Sequence, residues 1–96
     1  MKPSEALRTH SATIRRIVES HRARNARVFG SVLHGEDADN SDLDLLVDPL
    51  PGATLFDMGA IQVELEDALG IPVDVLTPGD LPEKFRAQVL REAVPL

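Results

Sequence analysis

Cysteine is absent from this chain of 96 residues, and its aromatic residues are three phenylalanines, with no tyrosine or tryptophan. The lack of cysteine excludes disulfides, thiolate metal sites and a cysteine nucleophile. So few rings disfavour a stacking platform for single-stranded nucleic acid. No apolar run approaches the ~18 residues of a membrane span, and the first residues lack the apolar core of a signal peptide. We therefore expect a cytoplasmic protein with no membrane partner.

Basic residues are missing from the whole middle of the chain. Residues 28–83 carry thirteen Asp and Glu and no Lys or Arg, whereas residues 1–27 have a net charge of +5 and residues 84–96 of +2, for a total of −6. Such a block leaves its carboxylates in water, meets the basic flanks in the fold, or binds cations. Because like charge repels phosphate, we expect no direct nucleic-acid binding through this surface.

Hydrophobic periodicity and turn residues predict helices and strands in the order α-β-β-α-β-α. This order indicates an α/β (α+β) fold, a small mixed β-sheet flanked by helices, in a single domain of residues 1–96. The predicted elements are a helix over 4–24, strands over 27–29 and 42–47, a helix over 54–69, a strand over 73–76 and a helix that begins at Asp80 or Leu81.

Local signals mark the ends of the first two helices. Ser4 is the expected N-cap of the first helix, while Thr54 and Asp57 form the pattern of a capping box and Gly70 ends the second helix. The arginines of the first helix fit either an ordinary solvated surface or a contact to a partner or nucleotide.

Three aspartates fall inside predicted strands, where this residue type is depleted. Asp42 and Asp44 are two residues apart, so both point to one face of their strand, with Cα atoms about 6.5–7 Å apart. If the strand bearing Asp74 pairs beside them, all three carboxylates converge. Mg²⁺ would then relieve their repulsion, because it is a hard cation that prefers oxygen ligands. The alternative is that Asp42 and Asp44 occupy the solvent face of an edge strand.

A glycine–serine pair, Gly30-Ser31, ends the strand that precedes these aspartates. Glycine lets a backbone approach a phosphate closely, and a serine hydroxyl with nearby N–H groups can hold phosphate oxygens. An anion site and a cation site at the ends of adjacent strands are the layout needed for a metal-bound triphosphate.

The spacing of these residues resembles a known family. Gly30-Ser31, ten residues and Asp42-Leu43-Asp44 are similar to the Gly-Ser-x10-Asp-x-Asp signature of the DNA polymerase beta-like nucleotidyltransferases, and the small size resembles their minimal nucleotidyltransferase (MNT) subgroup. The resemblance implies the nucleotidyltransferase fold, catalytic and metal-binding roles for Asp42, Asp44 and Asp74, and nucleotide binding by Gly30 and Ser31. His34 stands where many members carry Arg, and a neutral His contributes less to triphosphate binding.

The MNT resemblance also implies a biological role. Many members are antitoxins paired with a HEPN-type RNase toxin, and some transfer AMP from ATP to a tyrosine of that toxin with the help of Mg²⁺, expected here as two ions. The corresponding expectation is a protein adenylyltransferase with ATP and a HEPN-type toxin as partners. Two alternatives remain: a non-catalytic antitoxin that neutralises an RNase toxin by direct binding, and nucleotidyl transfer to a small molecule such as an aminoglycoside.

Overall fold

A computed structural model describes residues 1–39 and 41–96 of the chain. Its helices and strands are α1 (Pro3–Glu19), β1 (Ala23–Phe29), β2 (Leu43–Pro49), α2 (Leu55–Leu69), β3 (Val73–Leu76), α3 (Glu83–Glu92) and β4 (Val94–Pro95). Short 3-10 helices cover Gly30–His34 and Pro78–Asp80. None of the helices in the described ranges has both the length and the apolar character needed to cross a membrane.

The four strands form one mixed sheet in the order β3-β2-β1-β4. β1 runs antiparallel to both β2 and β4, whereas β2 and β3 are parallel. Parallel neighbours cannot be joined by a tight turn, so α2 forms the crossover between them. The predicted fold class and element order are confirmed. The strand that the sequence did not reveal is β4, because two residues are too short to show an alternating pattern.

One face of the sheet carries the hydrophobic core. Alternate residues of β2 point into it and pack between the apolar sides of α1 and α2, as the period of two along a strand requires. Its fully buried members include Ile14, Val18, Leu43, Leu45, Val47, Ile61 and Leu65. Leu43 and Leu45 therefore point away from the side of the strand on which Asp44 lies, as predicted.

The first helix ends at Glu19, five residues before the predicted boundary at residue 24. Arg22 and Asn25 have positive φ angles of 58° and 56°, a backbone conformation that no α-helix contains. Asn25 lies at a register shift of β1, where Asp48 of β2 accepts hydrogen bonds from Asn25 and Arg27. Arginine has a good helix propensity, so the sequence predicted a helix through residue 24 instead of this bulge. The N-cap is Lys2 rather than Ser4, which lies in the first turn.

Other differences concern boundaries and exposed apolar side chains. β2 covers Leu43–Pro49 instead of 42–47, since Pro49 stands at its end, where a missing N–H is tolerated. α3 begins at Glu83. Helical periodicity in the sequence predicts Phe85 on its apolar side, but Phe85 is 50% exposed. The same periodicity predicts Leu55 in the buried stripe of α2, but Leu55 is 84% exposed. Both side chains lie on the molecular surface.

The start of α2 follows the sequence prediction closely. Asp57 Oδ2 accepts a hydrogen bond from the backbone N–H of Thr54 at 2.9 Å, and Gly70 ends the helix with a φ of 70°. The capping box satisfies polar groups that the helix cannot pair internally and places a negative charge at its N-terminus.

We expect Asp57→Ala to lower the free energy of unfolding by about 1 kcal/mol, because it removes this cap. The matched control is Asp67→Ala, an exposed acid near the C-terminus of the same helix. Its removal should be neutral or slightly stabilising, since a negative charge there opposes the helix dipole. Urea unfolding of both variants measures the difference, and equal losses would contradict the capping role.

Candidate active site

The three aspartates singled out by the sequence lie at one end of the parallel pair of strands. The register places Asp44 of β2 directly beside Asp74 of β3, so their side chains share one side of the sheet. Asp42 immediately precedes β2, two residues before Asp44. The convergence predicted from the sequence depended on pairing between these two strands, and that pairing is present.

Negative charge is concentrated at Asp44. Partial burial, the charges of Asp74 and Asp42, and a side-chain hydrogen bond with Asp74 together raise the pKa of Asp44 to about 6, burial being the largest cause. Because like charges disfavour ionisation of one another, a cation placed among these groups would reverse the effect. The arrangement therefore suits the binding of positive charge.

The donor chemistry of this cluster fits a hard divalent cation that brings some of its own ligands. Within residues 1–39 and 41–96, no group of three His, Asp or Glu side chains is arranged so that it could hold a metal ion by itself. Mg²⁺ does not require such a group, because proteins usually hold it through one or two carboxylates while water and substrate phosphates complete its coordination. The paired carboxylates of Asp44 and Asp74 suit this mode of binding, and Asp42 precedes Asp44 by two residues.

Gly30 is packed against the carboxylate of Asp44. It follows Phe29, the residue of β1 that pairs with Asp44, and has a φ of +81°. A Cβ atom at this position would overlap Oδ2 of Asp44. Only glycine satisfies both the backbone conformation and the lack of space. The predicted glycine–serine pair thus directly adjoins the acidic cluster.

Ser31 begins the chain segment that leads from Gly30 to Asp42. Its carbonyl oxygen accepts a hydrogen bond from the backbone N–H of Glu36 at 3.0 Å, which closes the short turn after β1. The side chain is partly exposed. A hydroxyl and successive backbone N–H groups in a tight turn are suited to phosphate oxygens, and the anion site at Ser31 stays a prediction.

Glu92 is a neighbour of this turn that the sequence analysis missed. Its Oε2 lies 3.9 Å from Nε2 of His34, the residue at the end of the 3-10 helix. Both residues line a cavity of about 320 Å³ together with Leu33 and Val94. No local pattern could have revealed this neighbour, because it comes from the last helix. A cavity of about 370 Å³ near Pro49 and Thr77 is lined by none of the three aspartates.

Comparison with known protein families gives a match over most of the chain. The model of the family described as polymerase beta, nucleotidyltransferase matches residues 12–96. A Methanocaldococcus jannaschii protein, provisionally named a protein adenylyltransferase, is 37% identical over 81% of this chain and 84% of its own length. The protein adenylyltransferase MntA of Thermococcus cleftensis is also 37% identical, over 74% of this chain and 72% of its own.

Solved structures show the same architecture. A structure provisionally described as a minimal nucleotidyltransferase superposes with a TM-score of 0.85 at 43% identity, covering 97% of this chain and 95% of that one. A toxin–antitoxin structure with AMP-PNP has a TM-score of 0.75 at 19% identity over 90% of this chain and 71% of that one. The second similarity is one of fold.

We expect Gly30→Ala to destabilise the fold by at least about 1–2 kcal/mol, because alanine at a positive φ is strained and its Cβ must displace Asp44. Gly59→Ala is the control, since Gly59 lies in α2 with no atom within 4 Å of an added Cβ. That substitution should be neutral or stabilising. Thermal or urea unfolding compares the two, and a Gly30→Ala variant as stable as the unaltered chain would contradict the close approach.

The raised pKa of Asp44 predicts a dependence of stability on pH in metal-free buffer. Between the ordinary pKa of 3.8 and the folded value of about 6, the folded state holds a proton that the unfolded state has released. The contribution of Asp44 to stability therefore falls as the pH rises through this window and is constant above it. Asp44→Asn should gain in free energy of unfolding relative to the unaltered chain from pH 4 to pH 6. A pH-independent difference between the two proteins would contradict this prediction.

Proposed function

Because this chain belongs to the polymerase beta nucleotidyltransferase family and is a nucleotidyltransferase, we propose that it is a protein adenylyltransferase that moves AMP from ATP to a protein substrate. The observation that carries the proposal is the lateral pairing of Asp44 with Asp74, with Gly30 packed against the Asp44 carboxylate. The closeness of the two carboxylates to the Gly30–Ser31 turn supports a site in which Mg²⁺ and phosphate would bind side by side. The names of the two archaeal relatives support the choice of a protein acceptor.

Each site residue has a role in the proposed reaction. Asp42 and Asp44 would hold Mg²⁺ on the triphosphate, and Asp44 with Asp74 would hold a second ion. When bound, the metal supplies Lewis acidity that stabilises charge on the attacking and leaving oxygens. Gly30 and Ser31 would position the β- and γ-phosphates.

Proton transfer in this reaction falls to Asp74. Its carboxylate is exposed at the sheet edge, where it can accept the proton of the attacking hydroxyl. The hydroxyl oxygen would bond to the α-phosphorus as the bond to the bridging oxygen breaks and pyrophosphate leaves. The MNT resemblance favours a tyrosine as the acceptor.

The protein acceptor in this proposal is an RNase toxin of the HEPN type, so that the chain acts as its antitoxin. The similarity in fold to a toxin–antitoxin structure that holds AMP-PNP supports a role of this kind. Charge supports it as well, because residues 28–83 contain no Lys or Arg and present an acidic surface that complements an RNA-binding protein.

A second candidate function is neutralisation of the toxin by binding alone. Leu55 and Phe56, at the start of α2, are 84% and 89% exposed and lie within the acidic block. Exposed apolar side chains with an acidic surround are suited to a stable contact with a basic protein. This function would depend on the exposed surface and would not require catalysis at the aspartate cluster.

The double variant Asp42→Asn/Asp44→Asn separates the two functions. In the presence of Mg²⁺ and α-labelled ATP, we expect AMP transfer to the co-purified toxin to fall at least about a hundredfold, because losing the metal removes several kcal/mol of charge stabilisation. Asp39→Asn, an exposed acid on the preceding loop, should retain activity. Mass spectrometry of the toxin identifies the modified residue.

Neutralisation of the toxin is measured beside AMP transfer. If the double variant loses both, transfer is the mechanism of neutralisation. The adenylyltransferase proposal is wrong if the unaltered chain neutralises the toxin without labelling it, and retained neutralisation by the double variant would then support binding alone.

A further inference from the structure

The N-terminus of α1 is capped by a residue from a distant loop. The backbone N–H of Ser4, in the first turn of the helix, donates a 3.0 Å hydrogen bond to Oδ2 of Asp37. Lys2, the N-cap residue, forms no side-chain cap of its own. The first N–H groups of a helix lack internal partners and favour a negative charge. Asp37 therefore supplies the cap that the local sequence does not.

The ionised form of Asp37 is the one that this contact favours. Hydrogen bonds from Ser4 are the largest cause that lowers the pKa of Asp37 below its ordinary value of 3.8, and the charge of Lys2 is a smaller one. At neutral pH the carboxylate is thus fully charged, and charge-assisted hydrogen bonds are the stronger class. The contact is electrostatic in origin, and Asp37 is partly exposed.

Asp37 lies in the segment that connects the two halves of the candidate active site. The connecting loop (described residues 35–39 and 41–42) begins beside the turn of Ser31 and ends at Asp42. Its first part is held to that turn by the bond from the Glu36 N–H to the Ser31 carbonyl. Nearer its end, Ala38 and Ser41 are joined by two hydrogen bonds, of 2.8 and 3.0 Å.

The hydrogen bond between Asp37 and Ser4 joins residues that are far apart in the sequence, whereas the other bonds of the loop are local. Among the hydrogen bonds formed by the described residues of the connecting loop, it is the one that joins the loop to a distant element of the fold. The other bonds shape the loop, and its end is fixed where β2 begins, because the N–H of Leu43 donates a 2.9 Å hydrogen bond to the Pro72 carbonyl. Without Asp37, residues 36–39 would gain conformational freedom, and the ordering entropy would then oppose ligand binding.

We propose that Asp37 is a positioning residue, which ties the connecting loop to α1 and thereby holds Asp42 in place relative to Ser31. The proposal rests on the proposed function, because it assigns the two ends of the loop to metal and phosphate. Residues that orient metal-binding groups without contacting the metal commonly contribute ten- to a hundredfold in metal affinity. We expect the smaller value here, since the hydrogen bond between Asp37 and Ser4 lies near the protein surface.

The first test is Asp37→Ala, measured by calorimetric titration with Mg²⁺ and a non-hydrolysable ATP analogue. The expected result is about a tenfold weaker affinity, together with faster amide hydrogen exchange at residues 41–43. Asp39→Ala is the matched control, because it removes an exposed acid from the same loop and should leave the affinity unchanged.

A second variant separates positioning from simple stabilisation of the helix. Lys2→Ser in the Asp37→Ala background supplies a side-chain cap at the N-cap position and should recover about 1 kcal/mol of stability. If Asp37 positions the loop, nucleotide affinity stays low although the helix is restored. Recovery of affinity with the new cap would overturn the proposal, as would an unchanged affinity in Asp37→Ala. If the unaltered chain binds no Mg²⁺–nucleotide, the proposed function fails and the positioning role fails with it.

Discussion

The juxtaposition of carboxylates on neighbouring parallel strands is the constraint on which the rest of the candidate site depends. Asp44 and Asp74 face each other across the ladder because β2 and β3 pair in parallel and in this register. A shift by one residue would turn one carboxylate into the core and expose its apolar neighbours. The register is therefore fixed by the burial of Leu43, Leu45 and Val73 on the other face.

Partial burial on the opposite face of the sheet, where Asp44 lies, accounts for the electrostatics of the site. The helices α1 and α2 cover the core side of the sheet and keep β2 in place, while the opposite side stays open enough for Asp44 to meet solvent and ligands. Partial burial then disfavours the charge of Asp44. Gly30 completes the arrangement, since its missing side chain lets the turn that carries Ser31 approach the same carboxylate.

Local signals in the sequence predicted the part of the fold that is determined locally. Thr54, Asp57 and Gly70 marked the two ends of α2, and apolar alternation located β2 and β3. The end of α1 could not be predicted, because the positive φ angles near Arg22 arise from the bulge that meets β2. The prediction that Leu55 is buried was wrong for a different reason: the residue is apolar, but the described residues leave 84% of it exposed.

In the candidate site, too, the sequence predicted the residues that lie close together along the chain but not the contacts between distant residues. Asp42, Asp44 and the glycine–serine pair were visible as a spacing, since they lie on two consecutive elements. Other contacts near this group come from distant parts of the chain: Ser4 contacts Asp37 from the first helix, and Glu92 lies near His34 from the last. Such contacts leave no periodic pattern, so only the folded structure reveals them.

The cost of the aspartate cluster favours catalysis over binding alone. An acidic surface for docking a basic protein is best built from exposed carboxylates, which repel one another weakly in water. Asp44 is instead partly buried beside two other acids, so its ionisation at neutral pH opposes folding. Local rules of stability are broken mainly at functional sites. The repulsion within this cluster is relieved only when a cation binds. The cluster therefore supports the proposed metal-assisted phosphoryl chemistry better than it supports a purely electrostatic contact.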